Sequence, residues 1–390
     1  MYFEQELINE IIKKNPIVEI IKEYTTLNYV GRLMFGICPF HKENAPSLAV
    51  DLTTQTFFCF GCGAGGNVID FVMKKNNISF CDAVSILAQK ANIVLPEPNL
   101  SSRNYDEKVK TLLRINSVAN EFYKSARQRM TDYHTSGPGT KYLRDRGLRL
   151  NTMERFELGY AAEFGKELYC ELRKAGFSND DILDSGLVGF GKSVNSDTED
   201  YYDKFWNRII FPIFNVNNQC IGFGGRCLGD SKPKYLNSPE TSVFSKRENL
   251  YGLNIAKNFA QKGIILAEGY MDVIALHQAG FNNTVASLGT ALTASQAALL
   301  KIYTNKVFIA YDSDVAGINA AMRAIPILSS VGIETKIVKM PGAKDPDEFI
   351  KSFGVKSFRE QLDSAESYTR FLVRNSSSPI SQAIDILLTL

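Results

Sequence analysis

Several absences narrow this sequence first. No stretch of its 390 residues reaches the roughly 18 consecutive apolar positions that a bilayer-spanning helix requires. The opening Met1-Tyr2-Phe3-Glu4-Gln5-Glu6 is acidic, where a secretory leader is basic and then apolar. The cytoplasm is therefore the default compartment, with no membrane partner. Seven cysteines are an odd number in a long chain, so no disulfide framework is expected and their spacing matters more than their count. A formal net charge of only +2 excludes a uniformly basic nucleic-acid coat. No internal repeat and no low-complexity tract is visible.

What is present is globular: 45% hydrophobic and 22% charged residues, in a chain long enough for two or three domains. Charge is uneven, since residues 101–150 hold eleven Lys or Arg against five Asp or Glu. That segment offers either a face for phosphates or a solvated helix surface. Phe3, Leu7, Ile8, Ile11 and Ile12 recur at helical spacing, Asn15-Pro16 interrupts them, and Pro16 opens a second helix through Tyr24. Residues 27–60 read as short strands and turns, and helices follow near 68–72 and 79–91. Pro96-Glu97-Pro98-Asn99-Leu100-Ser101-Ser102 reads as a linker. A long helix is expected from Tyr105 to Met130, closed by His134–Gly139, and strands at Arg208–Phe214 and Gln219–Phe223. From Gly263 onward strands and helices alternate: strands at Gly263–Ala267, Thr284–Ala286, Lys306–Tyr311 and Glu334–Val338, helices at Met271–Ala279, Thr293–Lys301 and Val315–Leu328. Short loops in such a pattern imply a parallel sheet with helical crossovers. The last 45 or so residues read as mostly helical.

Two constellations carry chemistry. Cys38-x-x-His41 and Cys59-x-x-Cys62, separated by 17 residues, have the spacing of a closed tetrahedral zinc site, with Gly61 and Gly63 letting the chain fold around the metal. Four protein ligands leave no open position, so this zinc would be structural. Cys81, Cys170, Cys220 and Cys227 lack paired spacing and read as small buried hydrophobes. Arg32, Lys42, Tyr29, Phe35, Phe57, Phe58 and Phe60 surround the site; some must form a core and others could stack on bases.

The second constellation is acidic. One apolar strand ends at Glu268-Gly269-Tyr270-Met271-Asp272 and another at Asp312-Ser313-Asp314, and Lys344-Asp345-Pro346-Asp347-Glu348 follows. The carboxyl ends of parallel strands share one edge, so Glu268 and Asp312 are expected to meet there, with Asp314 turned to the same point. Carboxylates so placed suit Mg²⁺ or Mn²⁺, which can bind triphosphate oxygens and support in-line attack on phosphorus. The competing reading makes Asp312 and Asp314 helix caps and Glu268 a surface charge.

Together these motifs, with Ala316-Gly317 after the second acidic pair, resemble the bacterial-type replicative DNA primases (DnaG type), whose catalytic part is a TOPRIM fold shared with topoisomerases. Phe223-Gly224-Gly225-Arg226 and Pro233–Glu240 resemble primases rather than TOPRIM proteins in general. The resemblance runs to about residue 365. It implies a multidomain α+β and α/β protein: a zinc-ribbon domain over 1–98, the N-terminal subdomain of an RNA polymerase core over 105–260, a TOPRIM subdomain over 261–345 and a helical segment over 346–390. It implies DNA-templated synthesis of short RNA primers on single-stranded DNA from ribonucleoside triphosphates. Glu268, Asp312 and Asp314 match the family's metal-binding acids, with Asp345 and Asp347 a further acidic pair. Arg146, Arg226, Lys234 and Lys246 match basic residues along the template and nucleotide path. Asp272 has a structural alternative, a hydrogen bond to a nearby loop. Ser313 replaces a glycine common in the family, with no loss expected. Family members usually continue into a domain that docks on the replicative helicase, and residues 1–390 do not include it.

Gly186-Leu187-Val188-Gly189-Phe190-Gly191-Lys192-Ser193 fits the phosphate-binding P-loop pattern. A P-loop follows a buried strand and opens a helix; here the flanks are a polar helix and a polar run, so the segment reads as a turn. The rival functions are a TOPRIM nuclease or topoisomerase and a non-catalytic, zinc-dependent DNA-binding regulator.

Overall fold

A computed structural model describes residues 5–371 apart from 77, 79, 96–99, 130, 133–134, 163–164, 193–198, 230–231, 290 and 368–369. The described chain forms two compact units, one over residues 1–108 with 299–303, the other over 109–298 and from 304 onward. The division falls inside a helix, after Lys108. Pro96–Asn99, His134 and residues 372–390, on which most of a linker, a helix stop and a helical terminus are expected, lie outside the described residues, as does Phe3, while Leu100–Ser102, the rest of the expected linker, instead open the helix Leu100–Arg129.

The first unit opens with α1 (Gln5–Lys14) and α2 (Ile17–Lys22), separated at Asn15-Pro16, where Pro16 caps the second helix. Asn15 is buried, and its side chain donates to the carbonyls of Ile11 and Leu87, so the break is pinned to the core. A five-stranded antiparallel sheet follows in sequential order: β1 (Asn28–Val30), β2 (Leu33–Gly36), β3 (Leu48–Asp51), β4 (Thr56–Cys59) and β5 (Gly65–Gly66). Helices α3 (Val68–Asn76) and α4 (Phe80–Lys90) complete the unit. Alternation along β4 turns Phe57 and Cys59 inward and Phe58 outward. Phe57 meets the edge of Phe71 at 5.2 Å, and Phe40 touches both rings, so the loop carrying the metal-ligand candidates is packed onto α3.

Helix α5 (Leu100–Arg129) leads into the second unit, where a short β6–β7 hairpin (Thr131–Asp132, Thr135–Ser136), α6 (Pro138–Asp145) and α7 (Leu150–Arg155) follow. Next come β8 (Gly159–Ala161), α8 (Glu167–Lys174), α9 (Asn179–Asp184), the β9–β10 hairpin (Val188–Lys192, Glu199–Asp203), β11 (Arg208–Phe214), β12 (Cys220–Cys227) and β13 (Tyr235–Asn237). Strands β13-β12-β11-β8 form one antiparallel sheet. The P-loop-like segment is not a turn: Val188–Lys192 is the strand β9, paired antiparallel with β10, with Phe190 opposite Tyr201 and their rings 4.9 Å apart. Tyr201 stacks in turn on Tyr169 at 4.4 Å. Cross-strand aromatic contact holds a hairpin that a reading of polarity misses. Lys192 itself lies in that strand, where the lysine of a P-loop stands at the start of a helix.

Beyond α10 (Leu253–Ala256) the chain alternates as expected: β14 (Ile264–Ala267), α11 (Tyr270–Gln278), β15 (Thr284–Ala286), α12 (Ala294–Tyr303), β16 (Lys306–Ile309), α13 (Val315–Ser330), β17 (Glu334–Ile337) and α14 (Pro346–Asp363). The sheet order is β15-β14-β16-β17 and then a last strand, β18 (Glu366–Ser367); its first four strands are parallel. The described part of the terminal segment is not wholly helical, because β18 (Glu366–Ser367) adds antiparallel to β17 and α14 is kinked at Gly354. A two-residue edge strand has no periodicity to read. All four residues of β14 are buried, the continuous apolar run of a strand covered on both faces. One core joins the antiparallel sheet to this one: Phe211 of β11 stacks on Tyr270 of α11 at 5.0 Å. Among the described residues no helix is long and apolar enough to cross a membrane.

Candidate metal centres and the charged edge

In the first unit the four predicted zinc ligands converge. Cys38 follows β2, Cys59 ends β4, and His41 and Cys62 lie in the two turns, with one ligand atom of each within 4.8 Å of all the others. Among the described residues this is the only group of three or more His, Cys, Asp or Glu so gathered. The sulfurs of Cys38 and Cys62 are 3.8 Å apart, and Cys59 Sγ lies 3.8 Å from His41 Nδ1. Thiolates about 2.3 Å from a common tetrahedral centre lie about 3.8 Å apart, so the Cys38–Cys62 pair has the spacing that zinc requires and the donor set suits it. Backbone N–H groups of Phe40 and Cys62 point at the sulfurs of Cys38 and Cys59, each at 3.4 Å. Gly61 is needed for space: a Cβ there would lie 2.5 Å from His41 Nε2.

Glu43 is a member of this site that spacing did not reveal. Its side chain, 10% exposed, lies 3.1 Å from His41 Nε2, and it accepts from the Cys38 N–H at 2.6 Å, the Ser47 N–H at 3.2 Å and the Ser47 hydroxyl. Burial opposes its ionisation, but those hydrogen bonds hold the carboxyl below the usual range. Ser47 Oγ also reaches Cys59 Sγ at 3.2 Å. A carboxylate on the far nitrogen of a histidine ligand fixes the ring's tautomer and tilt. The only signal available was an acid two residues after His41. Of the surrounding aromatics, Phe57 is core, while Tyr29 is 70% and Phe60 44% exposed, and Phe35 stacks on Phe60 at 6.4 Å.

In the second unit the parallel register places Leu266 beside Ile309, so the chain leaves β14 and β16 at the same edge. Glu268 and Asp312 do meet there: the Asp312 N–H donates to Glu268 Oε1 at 3.0 Å. Gly317 makes the approach possible, since a Cβ on it would lie 2.1 Å from the Asp312 carbonyl oxygen and 2.8 Å from Glu268 Oε1. Asp314 is close in sequence but partly committed, because it caps α13 by accepting from the Gly317 N–H at 2.9 Å. Asp345 likewise caps α14, accepting from the Glu348 N–H at 2.8 Å, with Pro346 in the first turn. Asp272 accepts from the Gly269 N–H at 3.1 Å, the loop bond foreseen for it.

The edge is electrostatically loaded. Burial, then the charges of Asp312 and Asp314, push Glu268 up; burial and Asp345 push Asp312 up. Asp272 rises to about 8 through burial and the neighbouring Asp345, Asp312 and Asp347. Excess negative charge confined at one edge is what an added cation would relieve. Among the described residues the cation beside these acids is Lys344, whose Nζ lies 3.7 Å from Asp312 Oδ2 and 4.0 Å from Asp314 Oδ2.

The remaining predicted residues separate. Asp347 is buried and already paired, 3.2 Å from Arg146 and 2.7 Å from Lys351, so a candidate metal acid and a candidate phosphate-binding base hold each other. The Arg226 guanidinium lies between the rings of Tyr142 and Tyr235, at 5.2 and 5.5 Å, and donates to the Tyr235 hydroxyl at 3.0 Å. Among the described residues no carboxylate lies within 4.0 Å of it, so a held cation keeps its charge available. Lys234 is exposed, its carbonyl accepting from the Cys227 N–H at 3.0 Å. Lys246 is half-buried, and its backbone is fixed by Glu240 and Gln296.

Comparison with known proteins finds three family models along the chain: a CHC2 zinc finger over residues 3–124, a DNA primase catalytic core, N-terminal domain, over 122–257, and a Toprim-like domain over 265–350. The DNA primase of Clostridium acetobutylicum is 43% identical over 95% of this chain and 61% of its own length. That of Aquifex aeolicus is 37% identical over 96% of this chain and 72% of its own. The chain thus spans about three fifths of the length of the first of these relatives. Among solved structures, the zinc-binding and RNA polymerase domains of the Aquifex aeolicus primase share 36% identity and a TM-score of 0.61, covering 96% of this chain and 89% of that one. A DnaG primase catalytic domain bound to single-stranded DNA shares 32% identity and a TM-score of 0.60 over 72% of this chain and 88% of that one.

Proposed function

Since this chain belongs to the bacterial DnaG-type DNA primase family, we propose that it carries the template-reading and polymerising parts of a primase, which makes short RNA on single-stranded DNA from ribonucleoside triphosphates in the cytoplasm. The observation that carries the proposal is the meeting of Glu268 and Asp312 at the carboxyl edge of the parallel sheet, in the same unit as Arg226, a cation held over two tyrosine rings and, among the described residues, without a carboxylate partner.

Glu268, Asp312 and Asp314 are the acids assigned to Mg²⁺ or Mn²⁺, with Asp345 and Asp347 behind them. A divalent cation bound there supplies charge neutralisation for triphosphate oxygens and a template for in-line displacement. The protein's own part is positional. Asp312 is oriented through its backbone bond to Glu268, and Asp314 through the cap it makes on α13. Arg226, Lys234 and Lys246 offset template and nucleotide phosphates, with the Arg226 charge held over Tyr142 and Tyr235. Arg146 sets Asp347 through their ion pair. The primer's 3′-hydroxyl attacks the α-phosphorus, a new phosphodiester forms and pyrophosphate leaves. Positioning and charge stabilisation provide most of the acceleration. In the first unit, Cys38, His41, Cys59 and Cys62 hold a structural zinc, which keeps the Phe35–Phe60 face rigid for unstacked bases.

The decisive assay supplies single-stranded DNA, ribonucleotides and Mg²⁺ or Mn²⁺ and measures short RNA. Asp312→Ala should lower synthesis by at least about a thousandfold, with zinc content and circular dichroism unchanged. Retained synthesis in that variant would remove the acidic edge from the mechanism, and DNA cleavage without RNA would replace polymerase by nuclease.

A further inference from the structure

Lys344 is fixed in a way that an incidental surface lysine is not. Its N–H donates to Glu348 Oε2 at 2.7 Å, and its carbonyl accepts from the Ser313 N–H at 2.7 Å. The backbone is thereby tied to the first turn of α14 on one side and to the Asp312–Asp314 loop on the other. From that anchored position Nζ lies between Asp312 Oδ2 at 3.7 Å and Asp314 Oδ2 at 4.0 Å. Both distances exceed the 2.7–2.9 Å of a committed charge-assisted hydrogen bond, so the ammonium is shared by two carboxylates and bonded closely to neither. Its side chain is 60% exposed and free to swing outward without disturbing the core. Among the described residues no other Lys, Arg or His nitrogen comes within 4.0 Å of Glu268, Asp312 or Asp314.

We propose that Lys344 is the resident counter-cation of the acidic edge, occupying the charge position that the first divalent metal takes over, so that metal binding must displace it. The inference rests on the reading of Glu268, Asp312 and Asp314 as metal ligands. Its consequence is a built-in brake on metal loading: the metal-free edge is not left with bare repelling carboxylates, and metal affinity is lower than the acids alone would give. On displacement the ammonium remains tethered a side chain's length away, facing incoming phosphate oxygens.

A unit charge about 4 Å from a carboxylate in water-like surroundings shifts an equilibrium roughly fivefold. With two carboxylates, and exposure screening both, removing it should tighten metal binding about three- to tenfold. The test titrates Mn²⁺ into the zinc-loaded full chain without nucleotide, counting free Mn²⁺ by electron paramagnetic resonance. Lys344→Met should bind Mn²⁺ more tightly by that factor, Lys344→Arg should stay near the unaltered protein, and Lys174→Met, a 75%-exposed lysine on α8, should change nothing. Unchanged or weaker binding in Lys344→Met, while Asp312→Asn weakens it, overturns the counter-cation role alone. If Asp312→Asn leaves Mn²⁺ affinity unaltered, the acidic-edge reading falls, and the role of Lys344 with it.

Discussion

At the scale of single residues, the groups packed around the four candidate zinc ligands separate what spacing shows from what folding adds. Cys38, His41, Cys59 and Cys62 announce themselves because ligands on short turns must be two residues apart to converge. Glu43 does not, because an acid near a histidine is common and its value depends on three hydrogen bonds and a contact with His41 that only the folded loop makes. Glu43→Ala should weaken zinc binding about ten- to hundredfold, as competition with a colorimetric chelator would read. An affinity equal to that of the unaltered protein would reduce Glu43 to a loop-packing role. The charged residues show the same limit. Arg146 and Asp347 stand 201 positions apart and form one ion pair, and no local pattern links them.

At the scale of elements, strands β14 to β17 and the helices between them were legible because β14 is a short, unbroken, buried apolar run, β15 is buried throughout, and β16 and β17 bury β-branched residues at alternate positions. The β9 strand and β18 were not, since one has glycine at two of its five positions and the other is two residues long. The packing of α11 also carries a pH dependence. His277 is 3% exposed, its ring edge-on to Phe156 at 5.0 Å and its Nε2 2.9 Å from the Thr284 carbonyl. Burial pushes its pKa down to about 4. The folded chain thus keeps it neutral, while the unfolded chain protonates it near 6.5. Its contribution is full above that value and is lost as pH falls through 4, amounting to about 3 kcal/mol at most. Urea unfolding at pH 7 and pH 4.5 should show a smaller acid loss for His277→Gln than for the unaltered protein. Equal losses would place the acid sensitivity elsewhere.

For the whole molecule, two units with separate cores and only one predicted zinc site should respond unequally to chelation. Removing zinc should expose residues 28–90 to hydrogen exchange while amides of β11, β14 and β16 keep their protection, as mass spectrometry of the intact chain would resolve. Loss of protection in both would mean that the units fold as one. By itself, the sequence determined the zinc ligand set, the alternation that makes a parallel sheet, and the acids at two strand ends, because each is a local pattern of spacing or hydrophobicity. Only the tertiary structure decided that the Asp312 N–H bonds the Glu268 carboxylate, that Asp347 is already paired with Arg146 and Lys351, that Arg226 lies over two tyrosine rings, and that Lys344 stands near two of the acids. Those outcomes depend on strand register and on how helix ends meet the sheet, and electrostatic partnership follows distance in space, which residue spacing along the chain does not encode.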